Sequence, residues 1–333
     1  MHDPIPFDRT PNPVCVLGGS GFVGLHICNR LAQRDIPVTV VSRKPEAHPG
    51  LLVIPGIRVI TGDVFQRDLL QRAFSGCRTV INLVGILNES GHRGDGFRRV
   101  HAELPRLVVD ACRHSGVSRL LHMSALNADA GNGPSHYLRS KGEGENIVHT
   151  YASERLQVTS FRPSVIFGAE DSFFNRFAAL LKITPLAFPL ACPQSRFAPV
   201  YVGDVADAFI KAIDDKSTYG QRIPLCGPGE YSLRELVSYT AQQLGLRRWI
   251  IGLPDSLSKL QAAIFEWLPG KPFSLDNYRS LQVDSVCHQH EPMPTRIEAV
   301  VPSYIGRQNI HCEYNCYRTH RRDKYPRNLN QKP

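Results

Sequence analysis

A chain of 333 residues is long enough for a full hydrophobic core and for about two domains of roughly 100–200 residues each. Its 42% hydrophobic content is that of an ordinary globule, and no window approaches ~18 uninterrupted apolar residues, so no membrane span is expected. The formal net charge of +9 is concentrated in residues 307–333, which carry seven cations against two acids; the remaining body is only weakly basic, which argues against a nucleic-acid-binding core.

Residues 1–13 have neither an apolar run nor an Arg/Ser-rich amphipathic pattern, which points away from a signal or transit peptide. The first predicted strand covers 14–17 and runs into Gly18-Gly19-Ser20-Gly21-Phe22-Val23-Gly24 before a helix over 22–33. Glycines at 19, 21 and 24 allow a tight turn, a close backbone approach to a pyrophosphate and tight helix–strand packing. The helix start then offers free N–H groups to phosphate. This is the fingerprint of a dinucleotide-binding unit, in the strand–loop–helix context that the fingerprint requires.

The second strand, over 38–41, leads into Ser42-Arg43-Lys44. An NAD-preferring site usually places an acid here for the ribose 2′-hydroxyl. Arg43 and Lys44 can instead pair with a 2′-phosphate, so NADP(H) is favoured over NAD(H). A third strand over 59–61 precedes Asp63 and Val64, where the acid serves either as an acceptor for the adenine amino group or as the N-cap of a helix over 67–74. A strand over 79–83, a helix over 97–115 and a strand over 119–123 follow.

Ser124 lies just past that fifth strand, and Tyr137 and Lys141 fall four apart in a helix over 137–151. That spacing puts both side chains on one helical face. A nearby ammonium lowers the pKa of a phenol, which can then exchange a proton with a substrate hydroxyl or carbonyl. Ser124 would hold the substrate oxygen, and Lys141 would also reach the nicotinamide ribose. These three are the candidate catalytic residues.

A strand over 158–161 completes the regular pattern, which predicts an α/β Rossmann fold: a doubly wound parallel sheet over 13–168. From 169 to 306 a smaller lobe is expected, with 200–215 returning to the core and helices over 233–244 and 257–267. The polar, basic stretch 307–333 reads as a loose tail.

Nine scattered cysteines form no paired framework, which fits packed thiols in a reducing compartment. Cys287, His288 and His290, and Cys312, Cys316 and His320, supply zinc-type donors, but without compact knuckle spacing no metal site is expected.

Together, Gly18–Gly24, Asp63, Asn82–Gly85, Ser124, Tyr137/Lys141, Arg162–Gly168 and Val200–Val205 resemble the extended and atypical short-chain dehydrogenase/reductase superfamily. His122–Leu126, Tyr137–Glu145, Asp276–Val286 and Val300–Gly306 are similar to bacterial relatives of the NAD(P)-binding accessory subunit of respiratory complex I. The resemblance implies that Leu83, Val84, Gly85, Pro163 and Val165 also line the dinucleotide. It marks His101 as a departure, because many extended members carry an asparagine there.

Three functions follow as expectations. The first is an oxidoreductase, epimerase or dehydratase on a small-molecule substrate. The second is a non-catalytic accessory or assembly protein with a respiratory or membrane-associated partner. The third is a sensor of the NADP redox ratio. The expected location is cytoplasmic or peripheral to the inner membrane.

Overall fold

The computed structural model describes residues 13–306 except 90, 92, 268–272, 288 and 289. The expected tail and four of the six zinc-type donors, His288, Cys312, Cys316 and His320, lie outside the described residues. Strand β1 (Val14–Leu17) explains why the first half of the chain lacks polar alternation. Val14 and Val16 pack with Ile27, Leu31 and Phe209 on one face of the sheet, whereas Cys15 and Leu17 pack with Leu70, Phe74 and Val108 on the other. Each such side chain contributes about 1.5–3 kcal/mol when fully buried, so both faces select apolar residues.

Strands β2 (Val38–Ser42), β3 (Ile57–Thr61), β4 (Thr79–Asn82), β5 (Arg119–Met123) and β6 (Gln157–Pro163) join β1 in a parallel sheet. A seventh strand, Arg222–Leu225, pairs with β6 at the edge. The order is Arg222–Leu225, β6, β5, β4, β1, β2, β3, so the winding reverses between β1 and β4. Ligands bind such sheets at that switch point, outside the carboxyl ends of the strands. The sequence reading ended the sheet at 158–161. The seventh strand escaped it because Pro224 and an exposed Arg222 give a four-residue edge strand no apolar signature.

The helix expected over 97–115 is interrupted. Asp95–Arg98 is α-helical, Arg99–Glu103 forms a π-turn, and Leu104–His114 resumes the α-helix. The π-turn presses the His101 carbonyl against the facing helix His136–Thr150, where a Cβ on Gly144 would collide with it. Gly144 therefore allows two helices to approach at the site, and Gly142 makes room for the loop backbone at Asp129 and Ala130.

The smaller lobe has its own apolar clusters, one around Phe167, Phe174, Leu236 and Val301 and one around Leu181, Phe188 and Val237. The helices Leu233–Gln243 and Asp255–Phe265 stand close to where the sequence put them. One expectation fails here. Cys226 and Cys287, 61 residues apart, form a disulfide that ties the end of the edge strand to the lobe. No local spacing could reveal this pair, because only the fold brings it together. Cys15, Cys28, Cys77 and Cys112 are buried free thiols, as expected.

Candidate active site

The phosphate end is local. Gly18 has φ +79, a left-handed conformation open to glycine, and a Cβ there would lie 3.2 Å from the backbone after β4. A Cβ on Gly24 would run into the Gly18 carbonyl oxygen, so the helix Phe22–Ala32 can rest on the loop only if that position has no side chain. Gly21 is the N-cap and provides no side-chain acceptor, and the first turn holds no acid. The amides of Phe22, Val23 and Gly24 thus form a positive helix end at the cavity mouth. Ser20 is half-buried and Gly19 buried within the same turn.

Arg43 and Lys44 are exposed directly after β2, with no acid at that strand end. Asp63 does not cap the helix Arg67–Phe74, whose N-cap is Gln66. Its carboxylate instead accepts from the Phe65 amide at 3.2 Å, closing a local turn, which corrects the capping alternative. Val64 packs on the sheet core. After β4 the Asn82 carboxamide accepts from the Val84 amide at 3.2 Å and bonds His122 Nδ1 at 3.3 Å, which fixes the path of Leu83, Val84 and Gly85.

The reaction end is assembled from afar. Ser135 caps the helix His136–Thr150 by accepting from Leu138 N at 3.1 Å. The lobe adds a second cap, since Asp276 accepts from the amides of His136 at 2.7 Å and Tyr137 at 3.1 Å. Ser280 donates to Ser135 at 2.8 Å beside it. Asp276, which the sequence offered only within a matching segment, therefore fixes the helix end that carries Tyr137.

Tyr137 stands edge-on to His101 at 5.5 Å and to Phe97 at 5.9 Å. His101 Nε2 accepts from the Ile86 amide at 3.0 Å. Its Nδ1–H then donates to Ser140 Oγ at 2.9 Å, and that hydroxyl donates to the Tyr137 carbonyl. Burial, with the charges of Lys141 and His122, pushes His101 down to about 2 and keeps the ring neutral. His101 thus pins the Gly85–Ile86 stretch against the tyrosine helix.

The expectation that Lys141 lowers the Tyr137 pKa is corrected. Desolvation pushes the Tyr137 phenol up to about 12. Burial also pushes the Lys141 ammonium down to about 8, partly opposed by Glu145. Lys141 Nζ donates to the Met123 carbonyl at 3.1 Å and stands 3.1 Å from where a Gly85 Cβ would be. Desolvation is the dominant cause at both groups.

Ser124 is 2% exposed and its hydroxyl donates to Glu145 Oε2 at 2.5 Å. Glu145 is fully buried and also accepts from Arg162 Nε at 2.9 Å and Arg222 Nε at 2.6 Å. The hydroxyl proton is therefore committed to this buried ion cluster, which clamps the tyrosine helix to β6 and the edge strand. Sequence reasoning missed the role of Glu145, whose partners lie 17 to 77 positions away in the chain.

A cavity of about 500 Å³ joins the two ends. Gly18, Gly21, Phe22, Val23, Gly24, Leu83, Gly85, Ser124, Tyr137, Lys141, Pro163 and Val165 all line it. The lobe closes it with Phe173, Phe197, Leu281 and Val283, and Lys141 is the one charged residue among the described lining residues. Arg43, Lys44 and Asp63 lie off this cavity, beyond β2 and β3.

The model for the NAD dependent epimerase/dehydratase family matches residues 14–225. The chain belongs to that family. It is 31% identical over 289 residues to mouse "NADH dehydrogenase [ubiquinone] 1 alpha subcomplex subunit 9, mitochondrial", covering 84% of this chain and 72% of that protein. The rat counterpart is longer than the match, which spans 59% of it. It is 28% identical over 250 residues to a "Ceramide reductase" of Caulobacter vibrioides, covering 73% of this chain and 74% of that protein. In fold it is similar to the UDP-glucuronic acid 4-epimerase of Bacillus cereus, with a TM-score of 0.63, 17% identity, and 81% and 99% of the two chains covered. Family membership and the glycine loop agree on a nicotinamide dinucleotide as the cofactor of this site.

Proposed function

We propose that the protein is an NADP(H)-dependent oxidoreductase acting on a carbonyl or secondary hydroxyl of a lipophilic substrate. The observation that carries this reading is that Tyr137 and Lys141 line one cavity in which Lys141 is the only charged residue among the described lining residues. A nucleotide sugar would bring a diphosphate into that cavity with no cation besides Lys141 among the described lining residues to pair it, at a cost of several kcal/mol. An aliphatic substrate fits the Phe173, Phe197, Leu281 and Val283 wall without such a cost. The similarity to a ceramide reductase supports the same class.

When bound, the nicotinamide supplies hydride transfer. The amides of Phe22, Val23 and Gly24 would hold its pyrophosphate, and Arg43 and Lys44 would pair with a ribose 2′-phosphate. Lys141 bonds the nicotinamide-side ribose from its place beneath Gly85. Tyr137 donates its hydroxyl proton to the substrate oxygen in the reductive direction. A phenol held near 12 remains protonated at neutral pH, which suits reduction better than oxidation. The lobe residues exclude water.

Native mass spectrometry of the purified protein identifies the dinucleotide, and NADPH consumption with long-chain ketones in detergent measures turnover. Tyr137→Phe should lower turnover by about 10²–10⁴-fold and leave NADPH affinity nearly unchanged. Turnover that survives this change defeats the assignment.

A second reading is a non-catalytic NADP(H)-stabilised accessory protein of a respiratory complex. The commitment of Ser124 to Glu145 favours it, since this removes the hydroxyl that would hold a substrate oxygen. The similarity to mitochondrial NADH dehydrogenase subunits supports it too. A dinucleotide that stays bound through dialysis and is oxidised by no ketone would favour this reading over the first.

A further inference from the structure

The lobe helix Asp255–Phe265 has its polarity inverted. A surface helix normally turns its apolar face to the core. Here the buried positions are Ser258 and Ala262, whereas Leu257, Leu260 and Ile264 are 47–56% exposed. Trp267, just past the helix end, continues the same stripe and is 82% exposed. The spacing of three, four and three residues keeps these four side chains on one side.

A neighbouring strand pair carries further exposed apolar side chains. Gln261 donates to the Pro189 carbonyl at 3.2 Å, which joins the helix to the strand Ala187–Leu190. That strand pairs in parallel with Trp249–Gly252. Phe188 and Ile250 turn inward to the lobe core, so Trp249 and Ile251 face out. Trp249 is 78% exposed and Ile251 50%. Both tryptophans of the chain thus stand exposed at this end of the lobe.

The charges around the stripe have a positive excess. Arg247 and Arg248 precede Trp249, and Lys259 lies in the helix itself. Two acids stand against these three cations: Asp255, which accepts from the Tyr278 hydroxyl at 2.7 Å, and Glu266, which lines a cavity. Large apolar and indole side chains bordered by cations match a bilayer interface with anionic headgroups. Indoles favour that depth because one end of the ring is apolar and the other polar.

We propose that this face docks the protein on an anionic membrane surface. The end of the stripe also borders the site. Ala263 and Trp267 line a cavity of about 290 Å³ whose other wall includes Phe97 and His136, the neighbours of Tyr137. Docking would thus set the reaction end close to the lipid phase. It goes beyond the catalytic reading and does not require it. Vesicle binding tests docking and NADPH consumption tests catalysis, so either can fail alone.

The test uses the full chain and mixed phosphatidylcholine/phosphatidylglycerol vesicles. The protein should sediment with these vesicles, and less with pure phosphatidylcholine. Its tryptophan emission should shift to the blue on mixing, because both indoles enter the interface. A Leu260→Ser/Ile264→Ser/Trp267→Ser variant keeps residues 307–333 and should lose at least about tenfold in partitioning. Equal sedimentation of variant and parent overturns the proposal and transfers the role to the basic C-terminal stretch. A parent chain that stays in the supernatant, as monomer or as a dimer through this face, overturns it as well.

Discussion

The two ends of the cavity are built in opposite ways. The phosphate end comes from one stretch, Gly18–Gly24, between β1 and the next helix. The reaction end draws on Gly85–Ile86, His101, Ser124, Tyr137–Glu145 and Asp276. Binding a pyrophosphate needs amide groups and room, which a short loop can supply by itself. Placing a proton donor in a low-polarity site needs packing from several sides, which only distant segments can supply. A change at the first end should therefore act directly on nucleotide affinity, and a change at the second should act through neighbours.

The largest effect is expected from Gly24→Val. The added side chain meets the Gly18 carbonyl, so the loop must shift, and calorimetry should detect no NADPH uptake by a chain that still folds. Uptake at the parent level would break the comparison at its strongest point. A smaller loss is expected from Arg43→Ala/Lys44→Ala. Each lost charge-assisted contact costs about 1.5–3 kcal/mol, so NADPH affinity should fall at least about tenfold while NADH affinity hardly changes. Equal losses for both nucleotides would remove the preference for the phosphorylated ribose.

The Lys141 ammonium provides a pH test of the reaction end. Its folded pKa, near 8, is below its unfolded value, so the proton is lost between about 8 and 10.5 only in the folded chain. Cofactor affinity should therefore fall as pH rises through 8. Folding stability, relieved of a buried charge, should rise over the same interval. Opposite trends in affinity and melting temperature would be the signature, and a flat affinity from pH 7 to pH 9 would count against the role of Lys141.

The smallest effect is expected from Asp276→Ala. Losing this cap should cost about 1 kcal/mol of stability. It should lower turnover without weakening NADPH binding, because only the end of the Tyr137 helix is loosened. A Ser135→Ala change in the same turn should combine non-additively with it, since both caps serve one helix start.

Much of this could be read in the chain itself. The alternation of buried strands and helices, the glycine loop, the pair Tyr137/Lys141 and the absence of an acid after β2 are local patterns, and local patterns survive in one dimension. The seventh strand did not show because Pro224 and Arg222 mask it. The π-turn at Arg99–Glu103 did not show because the residue it packs against, Gly144, lies on another helix.

The sequence alone determined the fold class, the dinucleotide loop and the residue types that can move a proton, since each rests on spacing within a few turns of chain. Tertiary structure alone decided the state of those residues. Burial raised Tyr137 and lowered Lys141, Glu145 accepted the hydrogen bond of Ser124, and Cys226 found Cys287. Each outcome depends on which groups share a desolvated space, and that is set by packing between segments far apart in the chain.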